Sequence, residues 1–322
     1  MKKVLITGGS GFIGTNLVSS LISDDIEILT IDVDDPKISE HYPYFKKVDI
    51  KDKQSLGEIF TNFKPDTVIH LAARTDLSGK KLKDYDSNTE GSRNIILCCN
   101  EINSVKKIIF CSSMLVCKLG YKPKTDLDFC PSTIYGESKA NAEIILRKSI
   151  SDTIDWTIIR PTSIWGPWFG DPYKGFFNLI RKNLFFLPKN INTKRSYGFI
   201  DNSVSQIKTL IFNDESFFSK KIVYIHDYEP LGLSDWSVEI SNQFGSKKII
   251  EVPLFILKLA AYLGDFMSIL RIPFPINNFR LNNMLTEAVF EENLIQKKDG
   301  EAQISLEEGV KKTISWLLKE DS

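Results

Sequence analysis

The first half of the sequence alternates short β-branched runs with longer amphipathic segments, and this alternation limits the possible folds more than any other feature. Strands are predicted at residues 3–7, 26–31, 66–71, 106–111 and 154–159, and helices at 11–22, 52–62, 80–101 and 133–150. Strands that alternate with helices form a parallel sheet with helices on both faces and right-handed crossovers. The sequence therefore predicts an α/β fold with a Rossmann-type doubly wound parallel sheet.

The alternation stops near residue 165, and this change indicates a second lobe. The segment WGPWFGDPYKG, residues 165–175, concentrates Pro, Gly and aromatic residues and is typical of a loop over a ligand. A further strand at 221–226 is predicted to rejoin the sheet. We therefore expect a Rossmann domain at 1–165, to which 196–228 return. A smaller, mostly helical C-terminal substrate lobe is expected from 166–195 and 229–322.

The charge balance argues against nucleic acid as a partner. The 322-residue chain has 41 Lys and Arg residues and 41 Asp and Glu residues, whereas nucleic-acid binders usually have a basic excess. The five cysteines show no metal-ligand spacing, so no metal site is predicted. Adjacent Cys98 and Cys99 lie in an apolar helical run, where buried free thiols are common. This cysteine usage fits a reducing, cytoplasmic compartment.

Two apolar segments decide whether a signal peptide or a membrane-spanning helix is expected. The N-terminus, MKKVLITGGS, enters a strand directly and has neither the apolar segment nor the cleavage site of a signal peptide. The stretch VPLFILKLAAYLGDFMSILRIPFP, residues 252–275, is interrupted by Lys258, Asp265 and Arg271. A spanning helix needs about 20 largely uncharged residues. We therefore predict a buried or interfacial helix there, and no spanning segment.

The sequence KVLITGGSGFIGTNLV predicts a strand, a glycine turn and a helix. Gly8 permits the tight turn, Gly11 lets the backbone approach a pyrophosphate, and Gly14 allows close packing of helix and strand. The helix that begins near Gly11 directs its N–H groups and positive dipole end at the phosphates. This context indicates a dinucleotide site, although a glycine turn without a ligand is the alternative.

Asp32, at the end of the second predicted strand, indicates which dinucleotide binds. A carboxylate at this position holds a ribose diol and repels the 2′-phosphate of NADP. Asp34 and Asp35 add negative charge, and Lys37 is the only nearby base. NAD is therefore the expected cofactor. The alternative for Asp32 is a carboxylate that caps a turn.

Several motifs occur in order along nearly the whole chain. They are TGGSGFIG (7–14), DI (49–50), HLAA (70–73), NTEGSRN (88–94), CSS (111–113), YGESK (135–139), RPTSIWGP (160–167), RSYGFIDNSV (195–204) and SLEEGVKKTISW (305–316). With these motifs the sequence resembles the extended short-chain dehydrogenase/reductases, in particular the nucleotide-sugar epimerase/dehydratase branch. The resemblance is specific for the superfamily and much less so for the substrate.

The resemblance implies catalytic roles for Ser113, Tyr135 and Lys139. Tyr135 would be the acid/base at the sugar hydroxyl. A free phenol has a pKa of about 10, and lowering it by about three units takes roughly 4 kcal/mol. Lys139 would supply positive charge for this and hold the nicotinamide ribose, while Ser113 would orient the substrate oxygen. Gly136 and Ser138 are expected to keep bulk away from the cofactor. Alone, the Tyr–Lys spacing is more typical of an exposed i,i+4 pair.

The resemblance also implies a set of binding residues. The expected NAD contacts are Gly8, Gly11, Phe12, Ile13, Gly14, Asp32, Asp49, Ile50, Leu71, Ala72, Ala73, Asn88, Ser112, Tyr135, Lys139 and Pro161. The expected substrate contacts are Ser113, Ser163, Asn178, Arg195 and Arg280. Both arginines suit a diphosphate because a guanidinium binds two phosphate oxygens, although simple ion pairs are the alternative.

Other residues near these motifs have ordinary interpretations. His70 is expected to be a packed core histidine rather than a catalytic one. Trp165, Trp168 and Phe169 are expected either to wall a sugar or base, or to pack against one another.

The residues after Ser113 narrow the reaction. The family's 4,6-dehydratases carry acids here, whereas this chain has Met114 and Leu115, so elimination is not expected. The following Val116, Cys117 and Lys118 also depart from the usual epimerase pattern. The predicted function is C4 epimerisation of a nucleotide sugar, as in polysaccharide biosynthesis. A nucleotide-sugar 4-ketoreductase, a decarboxylase, a 3β-hydroxysteroid-type dehydrogenase and an NAD-binding redox sensor are the alternatives. The resemblance also implies a homodimer that pairs the helices at 80–101 and 133–150.

Overall fold

The computed structural model describes residues 1–213, 216–227, 229–270, 272, 274–290, 294–296 and 303–320. The α-helices in these ranges are α1 (Phe12–Leu21), α2 (Lys53–Phe63), α3 (Ser92–Glu101), α4 (Ile134–Ser149), α5 (Tyr173–Arg181), α6 (Ile200–Phe212), α7 (Leu233–Phe244), α8 (Leu254–Ile269), α9 (Asn278–Leu285) and α10 (Leu306–Glu320). The strands are β1 (Lys2–Thr7), β2 (Ile26–Asp32), β3 (Phe45–Lys47), β4 (Thr67–His70), β5 (Lys107–Cys111), β6 (Asp155–Pro161), β7 (Ser163–Trp165), β8 (Phe186–Pro188), β9 (Lys194–Arg195), β10 (Tyr197–Phe199), β11 (Lys221–Ile225), β12 (Leu231–Gly232) and β13 (Ile250–Val252).

The chain divides into two compact units. Unit 1 comprises Met1–Ile164 and Ile200–His226, and the described residues 294–296 also belong to it. Unit 2 comprises Trp165–Phe199 and the described parts of 227–291 and 302–322.

Unit 1 is built on a seven-stranded sheet in the order β11-β6-β5-β4-β1-β2-β3. Every neighbouring pair in it is parallel. The order reverses between β1 and β4, which is the switch point at which doubly wound sheets bind their ligands. The predicted Rossmann-type doubly wound sheet is confirmed.

One hydrophobic core of unit 1 lies between the sheet and helices α2, α3 and α4. β-Branched and aromatic side chains of the strands pack there against the apolar faces of the helices, as half-buried amphipathic helices require. Its fully buried members include Leu5, Ile31, Leu56, Phe60, Val68, Ile95, Ile96, Ile108, Phe110, Ala142, Leu146 and Ile158. Cys98 and Cys99 are buried in the same cluster, as expected from the sequence.

Two local differences separate the structure from the predicted elements of unit 1. The sequence did not predict β3, a three-residue edge strand whose residues are mostly exposed and follow no apolar alternation. The predicted helix at 80–101 is also not continuous. It consists of a 3₁₀ turn at Leu82–Tyr85, a π-helical turn at Ser87–Gly91, and then α3.

Unit 2 has an aromatic core. Trp165 lies 5.1 Å from Trp236 and 4.9 Å from Phe199, measured between ring centroids, and is 1% exposed. Phe169 is 3% exposed and packs edge-on against Trp316. For Trp165 and Phe169 the packing interpretation is therefore correct, because burial of this kind holds the rings within the core of the unit.

The apolar stretch at 252–275 forms α8, and Arg271 and Pro273 fall outside the described residues. Leu257 and Ala261 of α8 are buried against Leu281 of α9. A Cβ on Gly264 would lie 1.8 Å from the carbonyl oxygen of Ile276, so a glycine is needed for this close approach. No helix in the described part of the chain is both long enough and apolar enough to cross a bilayer.

Candidate active site

The glycine turn lies at the switch point of the sheet. Gly8 follows β1 with φ at 78°, a backbone conformation that favours glycine. A Cβ on Gly8 would lie 2.6 Å from the backbone nitrogen of Ala72, just beyond β4. The turn therefore packs directly on the neighbouring crossover, and any side chain at Gly8 would force the two apart.

The other two motif glycines form an open cradle at the start of α1. A Cβ on Gly14 would lie 2.0 Å from the Gly8 carbonyl oxygen, which explains the close packing of helix and turn. At Gly11, the N-cap of α1, a Cβ would meet only that same oxygen, at 3.2 Å. The helix begins at Phe12, followed by Ile13, so its positive dipole end faces this space. The cradle fits a pyrophosphate.

Asp32 lies at the end of β2 and holds the glycine turn. One carboxylate oxygen accepts a hydrogen bond from the Ser10 N–H at 3.0 Å, and the other accepts one from the Val33 N–H at 2.7 Å. Burial raises the pKa of Asp32, and these backbone N–H groups oppose the rise by stabilising the carboxylate. Asp32 therefore caps the turn. Its carboxylate oxygens have further lone pairs that can accept hydrogen bonds from ribose hydroxyls.

Ser113 and Tyr135 meet beyond the carboxyl end of β5. The Ser113 hydroxyl oxygen accepts a hydrogen bond from the Leu115 N–H at 3.1 Å and so caps the short 3₁₀ turn Met114–Val116. Tyr135 is in the first turn of α4. Burial raises the pKa of Tyr135, with Cys111 adding to the rise, whereas hydrogen bonding with Ser113 lowers it. The phenol and the serine hydroxyl therefore lie near each other beyond the end of β5.

Gly136 lies against the Ser113 turn. A Cβ on it would lie 2.0 Å from the carbonyl oxygen of Leu115, so α4 can begin against the Ser113 turn only with a glycine here. The Ser138 hydroxyl accepts a hydrogen bond from Asn88 Nδ2 at 2.9 Å and donates one to the Tyr135 carbonyl at 2.6 Å. Both residues position the start of α4.

Lys139 lies one helical turn after Tyr135 and is 2% exposed. Its Nζ is 5.8 Å from the centre of the Phe110 ring. Burial lowers the pKa of Lys139, and the nearby Cys111 and Glu143 oppose this. Glu143 is itself bound by Arg160, whose Nε and Nη2 donate to its two carboxylate oxygens at 2.9 and 2.8 Å. Arg160 and Glu143 thus form a bidentate pair beside Lys139.

His70 is a packed core histidine, as expected. Its Nδ1 is 2.7 Å from the Thr7 hydroxyl and its Nε2 is 2.9 Å from the Ser92 hydroxyl. Burial, with Lys139 adding to the effect, lowers the pKa of His70 to about 3. The ring is therefore neutral near pH 7 and ties β1, β4 and α3 together.

The remaining predicted cofactor residues line the same edge of the sheet or support it. Leu71, Ala72 and Ala73 continue β4, and the Leu71 and Ala72 N–H groups donate to Thr7. The Asn88 amide is occupied structurally, because its oxygen accepts from the Arg74 N–H at 2.7 Å and its nitrogen donates to Ser138.

Four further predicted cofactor residues belong to unit 1. Asp49 is partly buried and its Oδ1 accepts a hydrogen bond from the Lys51 N–H at 2.9 Å, whereas Ile50 is buried. Ser112 is buried, and its Oγ has no hydrogen-bond partner within the described part of the chain. Pro161 ends β6.

The predicted substrate residues are divided between the units. Ser113 and Ser163 are buried in unit 1, and Asn178, Arg195 and Arg280 belong to unit 2. Arg195 donates from Nε to the Thr286 carbonyl at 3.0 Å, and its buried Nη2 has no hydrogen-bond partner among the described residues. Arg280 is exposed and donates from Nη1 to the Pro275 carbonyl at 2.8 Å.

The sequence interpretation missed the buried Arg160–Glu143 pair. Glu143 lies four residues after Lys139, on the same face of α4, and this spacing was the available signal. Arg160 stands within the quoted motif RPTSIWGP but had no assigned partner. Only the packing of β6 against α4 brings the two side chains together.

The switch-point cradle, the acid at the end of β2 and the buried Ser–Tyr–Lys group define a dinucleotide-binding α/β protein of the short-chain dehydrogenase/reductase type. The profile of the NAD-dependent epimerase/dehydratase family matches residues 4–225. The chain belongs to the NAD-dependent epimerase/dehydratase family. The predictions of the family, of an enzyme and of NAD as the cofactor are thereby confirmed.

Similar proteins come from several bacteria. An N-acetyl-alpha-D-glucosaminyl-diphospho-ditrans,octacis-undecaprenol 4-epimerase of Escherichia coli O157:H7 is 30% identical over 97% of this chain and 94% of its own. A UDP-glucose 4-epimerase of Vibrio cholerae is 33% identical over 65% of this chain and 66% of its own. The solved UDP-glucose 4-epimerase of Thermotoga maritima, with UDP-glucose, matches 99% of this chain and 100% of its own. It has a TM-score of 0.77 at 19% identity, which supports the fold.

Proposed function

We propose that this chain catalyses the NAD-dependent C4 epimerisation of a sugar attached to a diphosphate. The observation that carries the proposal is the buried Ser113, Tyr135 and Lys139 group beside the glycine cradle, on a chain whose near-full-length relative is a 4-epimerase. A nucleotide sugar is the substrate class expected from the sequence. The undecaprenol-linked substrate of the Escherichia coli relative makes a polyprenyl-diphosphate sugar the second candidate.

Tyr135 is the proposed proton carrier. Its phenolate takes the proton from the sugar 4-hydroxyl as the C4–H bond breaks. Its phenol returns that proton after the 4-keto sugar has rotated in the site and presents its other face. NAD, which the glycine cradle and Asp32 would hold, would supply the reversible hydride acceptor that oxidation and reduction at C4 require. No net oxidation occurs, so one bound cofactor serves many turnovers.

The proposed roles of Lys139 and Ser113 follow from the pKa of Tyr135. Burial raises this pKa, so the phenolate needs compensating positive charge, at about 1.4 kcal/mol for each pKa unit. Lys139 is buried and forms no ion pair with the described residues, since the nearby Glu143 is bound to Arg160, and its ammonium group would supply that charge. Ser113 hydrogen bonds with the phenol and would orient the substrate oxygen.

Arg195 is proposed to bind the diphosphate. Its Nη2 is buried and has no hydrogen-bond partner in the described part of the chain, and a phosphate oxygen would satisfy this donor. Nε is fixed by the Thr286 carbonyl, which orients the guanidinium plane. Asn178, Ser163 and Arg280 keep their proposed substrate roles from the resemblance alone.

We also infer a cytoplasmic homodimer paired through α3 and α4. Leu97 on α3 and Ile144 on α4 are apolar and only partly buried within one chain, which suits a helix-to-helix interface. All five cysteines are free, as in a reducing compartment.

The first prediction concerns turnover without added cofactor. Purified protein is followed by proton NMR with UDP-glucose, UDP-N-acetylglucosamine and a short-chain polyprenyl-diphosphate N-acetylglucosamine in detergent. We expect one of these sugars to convert to its C4 epimer. Tyr135→Phe should lower the rate by about a hundred-fold or more, since positioned acid–base groups contribute on that scale. Tyr42→Phe, at an exposed tyrosine, is the matched control and should not change the rate.

Other outcomes would contradict the proposal. Stoichiometric reduction of bound NAD with release of a ketone would indicate a dehydrogenase, and stoichiometric oxidation of added NAD(P)H with a 4-keto sugar would indicate a ketoreductase. Turnover of a 3β-hydroxysteroid, unchanged in an Arg195→Gln variant, would indicate the steroid-type alternative, because a sterol has no diphosphate for Arg195 to bind.

A further inference from the structure

The outer face of α8 is apolar and exposed. Its members are between 44% and 79% exposed, whereas large apolar side chains of a protein surface usually occur singly. They are Phe255, Ile256, Leu259, Tyr262, Leu263, Phe266 and Ile269, and we call this set the α8 face. Leu270, Ile272 and Phe279 extend the exposed apolar surface beyond the helix.

The α8 face is one continuous stripe. The seven positions recur at intervals of three and four residues and cover about 140° of the helix circumference at about 3.6 residues per turn. At the same 3.6 residues per turn, Lys258 and Asp265 lie outside the arc that the seven apolar residues cover. Asp265 is occupied, because its carboxylate accepts hydrogen bonds from the Asn278 N–H and from Asn278 Nδ2 at the start of α9. The stripe therefore contains no charged residue.

The opposite side of α8 is fixed to unit 2. Leu257 and Ala261 pack against Leu281, and Gly264 lies in backbone contact with Ile276. A helix held in this way cannot rotate to bury its outer face. The apolar stripe is consequently a built surface that something other than unit 2's own α9 must cover.

Basic residues precede α8 or lie near its start. Lys247 and Lys248 are exposed and precede β13, the strand that leads into α8. The Lys189 N–H donates to the Val252 carbonyl at 2.9 Å, two residues before the helix begins at Leu254. Lys258 is exposed at the edge of the stripe, where its alkyl stem can lie along apolar surface with its ammonium group at the headgroups. Glu251 is the exposed acid in this border. The charge complements anionic phospholipids.

We propose that the α8 face is a membrane-docking surface that inserts into one leaflet of a phospholipid bilayer containing anionic lipid. The 16 residues of α8 are too few to span a bilayer, but a helix with a continuous Phe/Leu/Ile face and basic borders is suited to lie in the interface plane. This inference rests on the proposed function in one respect: docking brings the active site to a sugar diphosphate carried by a membrane-bound polyprenol. Vesicle binding itself does not depend on that substrate.

The test compares vesicle binding by the full chain and by two triple variants. Vesicles of phosphatidylethanolamine and phosphatidylglycerol are sedimented with the protein. The variant Leu259→Ser/Tyr262→Ser/Phe266→Ser removes the middle of the stripe, and we expect its partition coefficient to fall at least ten-fold. The control Leu77→Ser/Leu127→Ser/Leu318→Ser changes three apolar residues of similar exposure outside α8, and it should bind like the wild type.

A charge-reversal variant tests the electrostatic part of vesicle binding, and an assay with a water-soluble substrate separates binding from catalysis. Lys247→Glu/Lys248→Glu should weaken binding to anionic vesicles several-fold and leave the weaker binding to phosphatidylcholine vesicles unchanged, since anionic lipid attracts nearby bases. Each variant is also assayed on the best water-soluble sugar diphosphate. We expect unchanged turnover there, together with a selective loss for the α8 variant on polyprenyl-diphosphate sugar in vesicles.

Two results would overturn the docking proposal. In the first, the wild type fails to sediment with vesicles of either composition. In the second, the α8 variant lowers the oligomeric mass in vesicle-free buffer, which would identify the face as an interface between copies of the chain. Absence of turnover on every sugar, with vesicle binding and its loss in the α8 variant intact, would instead refute the proposed function alone.

Discussion

At the scale of single residues, the surroundings of Lys139 depend on the neighbouring pair of Arg160 and Glu143. Arg160 binds Glu143 through two hydrogen bonds, and both side chains are buried. Without Arg160, the carboxylate one helical turn from Lys139 would compete for its ammonium group. Removing one partner of such a buried pair is costly, on the order of 3–5 kcal/mol, because the other charge stays buried and unpaired.

His70 gives a pH dependence that can be measured. Its folded-state pKa is about 3, below the unfolded value of about 6.5. The unfolded chain therefore binds an extra proton between these values. The contribution of His70 is fully present above pH 6.5 and is lost as the pH falls towards 3, with a slope of up to about 1.4 kcal/mol per pH unit.

The measurement is urea unfolding between pH 4.5 and 7 at fixed NAD concentration. His70→Gln should show a shallower loss of unfolding free energy on acidification than the wild type. Ser92→Ala removes the hydroxyl that contacts Nε2 but keeps the titrating ring, so it should be less stable yet keep the wild-type slope. Equal slopes for His70→Gln and the wild type would refute the assigned pKa.

At the scale of elements, the start of α4 depends on one missing side chain. In Gly136→Ala the new Cβ would lie 2.0 Å from the Leu115 carbonyl, so α4 or the Ser113 turn must move. Overpacking of this kind typically costs about 1–3 kcal/mol, and the altered Ser113–Tyr135 geometry should also lower kcat. Thermal unfolding and turnover measure both effects.

The matched control is Gly57→Ala in α2. No atom lies within 4 Å of the added Cβ, so this variant should gain about 0.5–1 kcal/mol because alanine favours a helix over glycine. Activity should stay at the wild-type level. A Gly136→Ala protein as stable and active as Gly57→Ala would contradict the close packing at Leu115.

Local signals in the sequence predict most, but not all, of the strands and helices of unit 1. Six strands of the sheet and helices α1, α2 and α4 follow from β-branched runs and apolar periodicity, which are local signals. The edge strand β3 and the π-helical turn before α3 have no such signal. The pairing of Asn88 with Ser138 and of Arg160 with Glu143 depends on side chains brought together by tertiary packing. The exposure of the α8 face was equally hidden, because apolar periodicity alone does not say which face of a helix is covered.

At the scale of the whole molecule, the proposed homodimer is the next testable feature. Light scattering in buffer with mild detergent should give twice the 36.7 kDa mass of one chain. Leu97→Glu/Ile144→Glu places charges on α3 and α4 and should yield monomers. The α8 triple variant is the control and should remain dimeric. A monomeric wild type, or a dimer that only the α8 substitutions disrupt, would contradict pairing through α3 and α4.

Docking through the α8 face would also change which measure of substrate concentration sets the rate of this enzyme. A protein held at a bilayer meets a polyprenyl-linked sugar by lateral diffusion in two dimensions. Its rate then follows the mole fraction of that lipid among the others, so adding inert phospholipid at constant substrate slows turnover by surface dilution. A nucleotide sugar arrives from the bulk solution, and its conversion is indifferent to the amount of lipid.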